Sequence, residues 1–336
     1  MSPQMSCTRK CVYSAIATLL ALILVGCQNA PAIVDPRGPA ATRIADLWWF
    51  LLGLGGLVYL AVLVFLALAL LRRKEPTSTD QGLYAGSRIV LLGGIIAPAV
   101  ILLVVFGFTV ATLNALSMPD TSDRYTVHVV GHQWWWEVRY PDSGVVTANE
   151  IHIPAGESVR VVLSSDDVIH SFWVPQLQGK LDMVPGVTNA IWLQADQPGV
   201  YRGECAEFCG IQHAKMHLLI IAEPPDQFDQ WLEAQRQPAV EPSDSLAQRG
   251  QQVFLSSTCG NCHAIAGTHA TGRLGPDLTH FASRHTLAAA TAANNRGNLT
   301  GWIADPQHIK PGAYMPPSGL SGSDLQAILT YLETLE

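Results

Sequence analysis

Two short segments carry most of the residues able to do chemistry, CAEFCGIQHAKM (205–216) and CGNCH (259–263). In the first, two thiolates, an imidazole and a thioether form a soft-to-borderline donor set, which favours copper over magnesium, calcium or manganese. Structural zinc sites usually close with Cys or His, and methionine is a poor fourth donor for them. A mononuclear blue-copper site would use one Cys, two His and one Met, so the additional cysteine points to a binuclear centre. Cys205 and Cys209 would bridge two coppers, each also needing an imidazole and a weaker donor. His213 and Met216 supply one of each. The second imidazole must come from another loop, and His170 in DDVIHSFWVP is the natural candidate. The last weak donor is most simply the backbone carbonyl of Glu207. An electron shared over two metals spreads the change in bond lengths, which suits a relay.

The second segment is the C-x-x-C-H signature of covalent haem attachment, with Cys259 and Cys262 forming thioethers and His263 the proximal ligand. Met315 is the only methionine after residue 216 and sits in KPGAYMPP, where prolines stiffen the loop that would present its sulfur as sixth ligand. His269, His280, His285 and His308 are rival axial ligands.

The 336 residues have room for several domains, and their 49% hydrophobic content is strongly segregated. Arg9 and Lys10 precede an apolar run from Val12 to Val25, the layout of an export signal. It closes as Leu24-Val25-Gly26-Cys27, which resembles a lipobox and makes Cys27 a candidate for lipidation. Leu47–Leu71 and Ile89–Leu113 contain no charged side chain and are each long enough to cross a bilayer. Arg72, Arg73, Lys74 and Arg88 lie between them and place the connecting loop in the cytoplasm. Everything after Asn114 then lies outside that membrane, where an uncommitted cysteine pair tends to oxidise. The net charge of −7 and the lack of a basic run exclude a nucleic-acid partner.

From Arg124 to about Ala222, short β-rich runs such as YTVHVV, SVRVVLSS and HLLIIA are separated by turn residues. This rhythm predicts an antiparallel sandwich or Greek-key barrel. Pro225–Gln235 reads as a helix, RQPAVEPSDS as a linker, and Leu325, Ile328, Leu329 and Leu332 as one face of an amphipathic helix starting near Ser323.

GHQWWWEVRY (131–140), IHSFWVP (169–175), GKLDMVPG (179–186) and CAEFCGIQHAKM, in this order and after two membrane helices, resemble subunit 2 of haem–copper cytochrome c oxidases over roughly residues 40 to 222. GPDL (275–278) and GWIADP (301–306) resemble bacterial class I cytochromes c, and the fusion looks like the caa-type oxidases. The resemblance implies a multidomain membrane protein. Its parts would be a lipoprotein-type signal peptide (1–26), a two-helix transmembrane hairpin (40–118) and an all-β, cupredoxin-like Greek-key sandwich (119–224). A short helix and linker (225–245) would then lead to an all-α class I cytochrome c domain (246–336).

It further implies binuclear copper A on His170, Cys205, Glu207, Cys209, His213 and Met216, covalently bound haem c, and Mg2+ held partly by the Glu207 carboxylate at the contact with subunit 1. Trp134 would be the point of electron entry. Val187 stands where many relatives carry Arg, which alters the charge pairing expected with subunit 1. Implied partners are oxidase subunits 1 and 3, an external cytochrome c or bc complex, and membrane lipid. The copper and haem domains would face the periplasmic side of a bacterial inner membrane. Electrons would pass from haem c through copper A to haem a of subunit 1, where oxygen reduction is coupled to proton translocation. The chain lacks the many intramembrane histidines that haem a and copper B require.

Three other readings compete. A membrane-anchored copper chaperone or thiol-redox assembly factor predicts one copper and a titratable disulfide. A quinol-oxidase subunit would lack the copper ligands present here. Nitrous oxide reductase would need a histidine-rich domain.

Overall fold

The computed structural model describes residues 32–71, 80–117 and 124–336. The signal segment, Cys27 and the loop residues Arg72, Arg73 and Lys74 lie outside the described residues.

Helix α1 spans Pro39–Leu71. The second long helix runs as α2 (Asp80–Leu91), a π-helical stretch at Leu92–Ile96 and α3 (Ala97–Leu116). Both are long and apolar enough to cross a membrane. Phe50 and Phe108 stack between them at 4.5 Å, and Leu57, Phe65, Leu103 and Phe106 point outward. Both helices start earlier than their uncharged stretches predict, and α1 gains its first turns from contact with the β domain rather than from lipid. Pro39 opens the helix, where a missing N–H costs nothing. Ala40 and Ala41 are buried there, and the Ala41 amide donates to the Leu177 carbonyl at 3.2 Å. Trp192 Nε1 donates to the Leu116 carbonyl at 3.1 Å, which ties the end of α3 to the same domain.

The β domain is a sandwich of two five-stranded sheets. β1 (Tyr125–His132), β2 (Trp135–Tyr140), β3 (Val145–Ala148), β5 (Val159–Ser165) and β8 (Asn189–Leu193) form one sheet in the order β3-β2-β1-β5-β8. β4 (Glu150–Pro154), β6 (His170–Trp173), β7 (Leu181–Met183), β9 (Gly199–Cys205) and β10 (His217–Glu223) form the other in the order β4-β10-β9-β6-β7. Alternate residues face inward: Val127 and Val129 of β1, Val159, Val161 and Leu163 of β5, and Leu218 and Ile220 of β10 are buried around Trp136 and Phe172. The sheets are not purely antiparallel, since β1 pairs with β5 and β4 with β10 in parallel. Side-chain alternation reports which face is buried but not strand direction. The parallel pairs are closed by long returns of the chain, as a Greek key requires.

α4 (Pro225–Gln235) buries Phe228 and stacks Trp231 on His152 at 3.9 Å. The linker segment then packs against the last domain: the Ala239 amide donates to the Ala266 carbonyl at 3.0 Å, and the Gln237 carbonyl lies 3.0 Å from His280 Nε2.

The last domain is mainly helical. α5 (Ser245–Ser256) is N-capped by Asp244, whose carboxylate accepts from the Leu246 and Ala247 amides at 2.9 Å. α6 (Cys259–Cys262), a small hairpin of β11 (Thr286–Leu287) and β12 (Ala292–Ala293), α7 (Arg296–Ala304) and α8 (Pro306–Ile309) follow. α9 (Gly322–Leu332) begins one residue before the predicted start and is capped by Ser321, which accepts from the Asp324 amide. It buries Ile328, Leu329 and Leu332 against Phe254 of α5.

Candidate metal centre and haem site

His170 begins β6, Cys205 ends β9, and the turn between β9 and β10 carries Cys209, His213 and Met216. Folding the second sheet therefore delivers all five side chains to one end of the sandwich. Cys205 Sγ lies 3.8 Å from Cys209 Sγ, 3.8 Å from His170 Nδ1 and 3.2 Å from the Glu207 carbonyl. Cys209 Sγ lies 3.8 Å from both His213 Nδ1 and Met216 Sδ. The sulfur separation is far beyond a disulfide bond and shorter than two metal–thiolate bonds of about 2.3 Å each, so one ion can touch both. His170, Cys205 and Cys209 are buried and form a cluster able to hold a metal. The donor set fits copper.

The electrostatics follow from crowding. Cys205 is pushed down by its hydrogen bond with Cys209, against the opposing effect of burial, with His170 assisting. Cys209 is pushed up by the neighbouring Cys205 and by burial. Burial works to lower His170, but its contacts with Cys205 and Asp167 outweigh it and raise the imidazole.

The support around this cluster was largely invisible in sequence. Asp167 Oδ1 lies 2.8 Å from His170 Nε2, which orients the ring so that Nδ1 faces the sulfurs. Its signal was an acid three residues before the histidine. The Cys209 carbonyl accepts from Trp134 Nε1 at 2.9 Å and Gln133 Nε2 at 2.7 Å. Gly210 has φ +117°, and a Cβ there would lie 3.0 Å from the Trp134 ring, so the loop needs glycine both for its conformation and for the close approach. The Glu207 side chain is exposed and accepts from the Phe208 amide at 3.3 Å. Val187 is 45% exposed.

Two cavities of about 440 and 270 Å³ both touch Cys262, His263 and Met315; the smaller lies within the helical domain, and the larger is also lined by Gln133, Trp134 and Asn149 of the β domain. The smaller also reaches Cys259. The larger is in the size range of ligand sites and the smaller falls just below it. His263 Nδ1 lies 2.8 Å from the Pro276 carbonyl, which fixes the ring and leaves Nε2 free to ligate. A Cβ on Gly275 would lie 2.6 Å from His263 Cε1, so this glycine makes room for the imidazole. Arg284 lines the larger cavity with a buried Nε that has no partner, a donor matched to an acidic substituent on a porphyrin. The residues fit haem. Of the rival ligands, His280 is occupied on both ring nitrogens, by the Glu336 and Gln237 carbonyls, while His269, His285 and His308 are exposed. None of the four lines either cavity.

Residues 143–223 match the family described as cytochrome c oxidase subunit II, periplasmic domain, and residues 247–336 match cytochrome c. The chain is 37% identical to cytochrome c oxidase subunit 2 of Alkalihalophilus pseudofirmus over 334 residues, 95% of each chain. It belongs to the cytochrome c oxidase subunit 2 family. Cytochrome c oxidase subunit 2 of Bacillus sp. strain PS3 is 34% identical over 286 residues, 79% of each chain. The periplasmic domain of subunit II of cytochrome oxidase of Bradyrhizobium japonicum is similar at 30% identity, covering 34% of this chain and 96% of that one with a TM-score of 0.34. As a cytochrome c oxidase subunit 2, the chain is a subunit of a haem–copper oxidase with an electron-transfer role. Its cupredoxin-like domain implies copper A and its cytochrome c domain implies haem c. Two apolar helices and the family together indicate a membrane-anchored protein with a periplasmic domain.

Proposed function

We propose that this chain passes electrons from its own haem c through binuclear copper A to haem a of subunit 1, where oxygen is reduced to water with coupled proton translocation. The observation that carries this reading is the convergence of Cys205, Cys209, His170, His213 and Met216 beside Trp134, whose ring also lines the larger haem cavity. When bound, the two groups supply one-electron carriers of low reorganisation cost and tuned potential.

The chain's residues do the rest. Cys205 and Cys209 would hold the metals, with His170 beside the first sulfur and His213 beside the second as the imidazole ligands, and Met216 and the Glu207 carbonyl as the weak donors. Asp167 sets the His170 tautomer. Cys259 and Cys262 anchor the porphyrin, His263 and Met315 ligate its iron, and Trp134 is the entry point to the copper site. The exposed Glu207 carboxylate takes Mg2+ at the subunit 1 contact. The two helices make the protein multi-pass in a bacterial inner membrane, with both redox domains periplasmic, the signal peptide removed and Cys27 lipidated. Subunits 1 and 3 are its partners in the complex, and an external cytochrome c or bc complex is its donor.

Metal and haem analysis with electron paramagnetic resonance on the purified chain tests this reading. Two coppers with a seven-line hyperfine pattern and one haem c are expected. A single copper with a titratable disulfide would instead establish the copper-chaperone reading.

A further inference from the structure

The cytochrome domain meets the β-sandwich through groups that are costly to bury. Glu150, at the start of β4, is 2% exposed. Its carboxylate accepts from the Thr286 amide at 2.8 Å, the Thr286 hydroxyl at 2.7 Å and the His285 amide at 3.0 Å, all in the other domain. Lys310, in the loop that carries Met315, is 4% exposed, and its Nζ donates to the Trp134 carbonyl at 2.8 Å and to the Ala288 carbonyl at 3.4 Å.

Between these two points lies a left-handed turn. Ala288, Ala289 and Ala290 have φ of 55°, 57° and 53°, a region L-residues with a Cβ seldom occupy. The turn is held from across the interface, where the His217 amide donates to the Ala289 carbonyl at 3.2 Å. Beyond Lys310, the Tyr314 ring lies 4.9 Å from the Trp134 ring and its hydroxyl donates to Gln133 Oε1 at 2.9 Å. Trp134 is 7% exposed.

A charge removed from water is tolerated only where its hydrogen bonds are replaced. Any other placement of the two domains would strand Glu150 or Lys310, or return them to solvent and uncover the apolar surface around Trp134. A buried polar group costs more when it loses its partners than it gains by having them, so these contacts favour the one placement that satisfies both residues.

We propose that Glu150 and Lys310 are positioning residues that fix the cytochrome domain in a single pose on the copper domain, with Tyr314 laid over Trp134. The indole then serves the fused haem and is closed to an external cytochrome. This rests on the copper and haem assignments above. It replaces a swinging tether by a docked pair, so an external donor delivers electrons to the cytochrome domain rather than to Trp134.

The test uses the intact, loaded chain and the variants Glu150→Gln and Lys310→Met, each close in shape to the native residue. Amide exchange over residues 285–291 and 215–219 is expected to be slow in the wild type and at least about tenfold faster in both variants, the effect of losing interdomain hydrogen bonds. Copper and haem spectra should be unchanged. Flash-initiated transfer from haem to copper should be independent of ionic strength in the wild type, and slower and salt-dependent in the double variant. Wild-type exchange rates in both variants, or a salt-dependent wild-type transfer, would overturn the proposal. Absence of copper or haem signals from the wild type would overturn the cofactor assignment instead, and the exchange measurement would still decide the pose.

Discussion

The Trp134 indole nitrogen donates to the carbonyl of Cys209 at 2.9 Å, so a single hydrogen bond joins the aromatic surface of the β domain to a residue that carries one of the two central sulfurs. The indole is therefore coupled to the donor cluster through one short polar contact as well as by packing.

Replacing Trp134 by Phe keeps an aromatic ring and removes that donor, while the Cys209 carbonyl retains Gln133 Nε2 at 2.7 Å. The expected cost is about 1 kcal/mol of stability, that of one ordinary hydrogen bond. Copper content should stay at the wild-type value, and reduction of the copper site, followed by stopped-flow absorption, should slow. Loss of copper in this variant would make Trp134 part of the scaffold for the metal rather than of the route to it.

Asp167 is the orienting partner of His170, and it also accepts from the Gln133 amide at 2.6 Å, so it braces both the ligand and the loop leading to Trp134. Outer partners of metal-bound histidines are typically worth 10- to 100-fold in affinity. Asp167→Ala should therefore weaken copper binding by about that factor in competition with a chelator, while the β-sheet circular dichroism is retained. Unchanged copper affinity would show that β6 alone sets the imidazole.

The donor set was legible because ligand chemistry is local. Cys205, Cys209, His213 and Met216 share one turn, and only His170 had to be fetched from a distance. The long helices were legible through their uncharged runs, but the extra turns of α1 depend on Ala40 and Ala41 packing on another domain, which no apolar period announces. The parallel pairings of β1 with β5 and β4 with β10 were illegible for the same reason, since alternation is blind to direction. In β9 (GVYRGEC) two glycines and two charges dilute the alternating pattern, so this strand is hard to read from sequence. Nothing in the local sequence marks Glu150 or Lys310 for burial, and only tertiary contact shows them buried with partners far along the chain.

Met315 lines both cavities together with Cys262 and His263 of the C-x-x-C-H segment. Methionine–histidine ligation raises a haem potential. Met315→Ala should lower the midpoint potential of haem c and convert the oxidised spectrum from low to high spin, with covalent attachment at Cys259 and Cys262 intact. An unaltered spectrum would transfer the sixth position to another residue.

Glu137 supplies a pH dependence of definite sign. Burial works to raise its carboxyl, but hydrogen bonds from His132 Nε2, at 3.2 Å, and from Arg139 Nε outweigh burial and bring it down to about 2 from an ordinary value of 4.5. Because the folded form binds its proton less readily than the unfolded chain, Glu137 stabilises the sandwich above pH ~4.5, and that contribution is lost as the pH falls toward 2. The Arg139 side chain is 49% exposed, so solvent screening reduces the contribution to about 1–2 kcal/mol. Glu137→Gln should accordingly lower the thermal midpoint of the β domain, followed by tryptophan fluorescence, by a constant amount between pH 5 and 7. The gap to the wild type should close progressively below pH 4.5. A gap of the same size at pH 3 and pH 6 would mean that the side chain acts through shape and neutral hydrogen bonding, with no contribution from its charge.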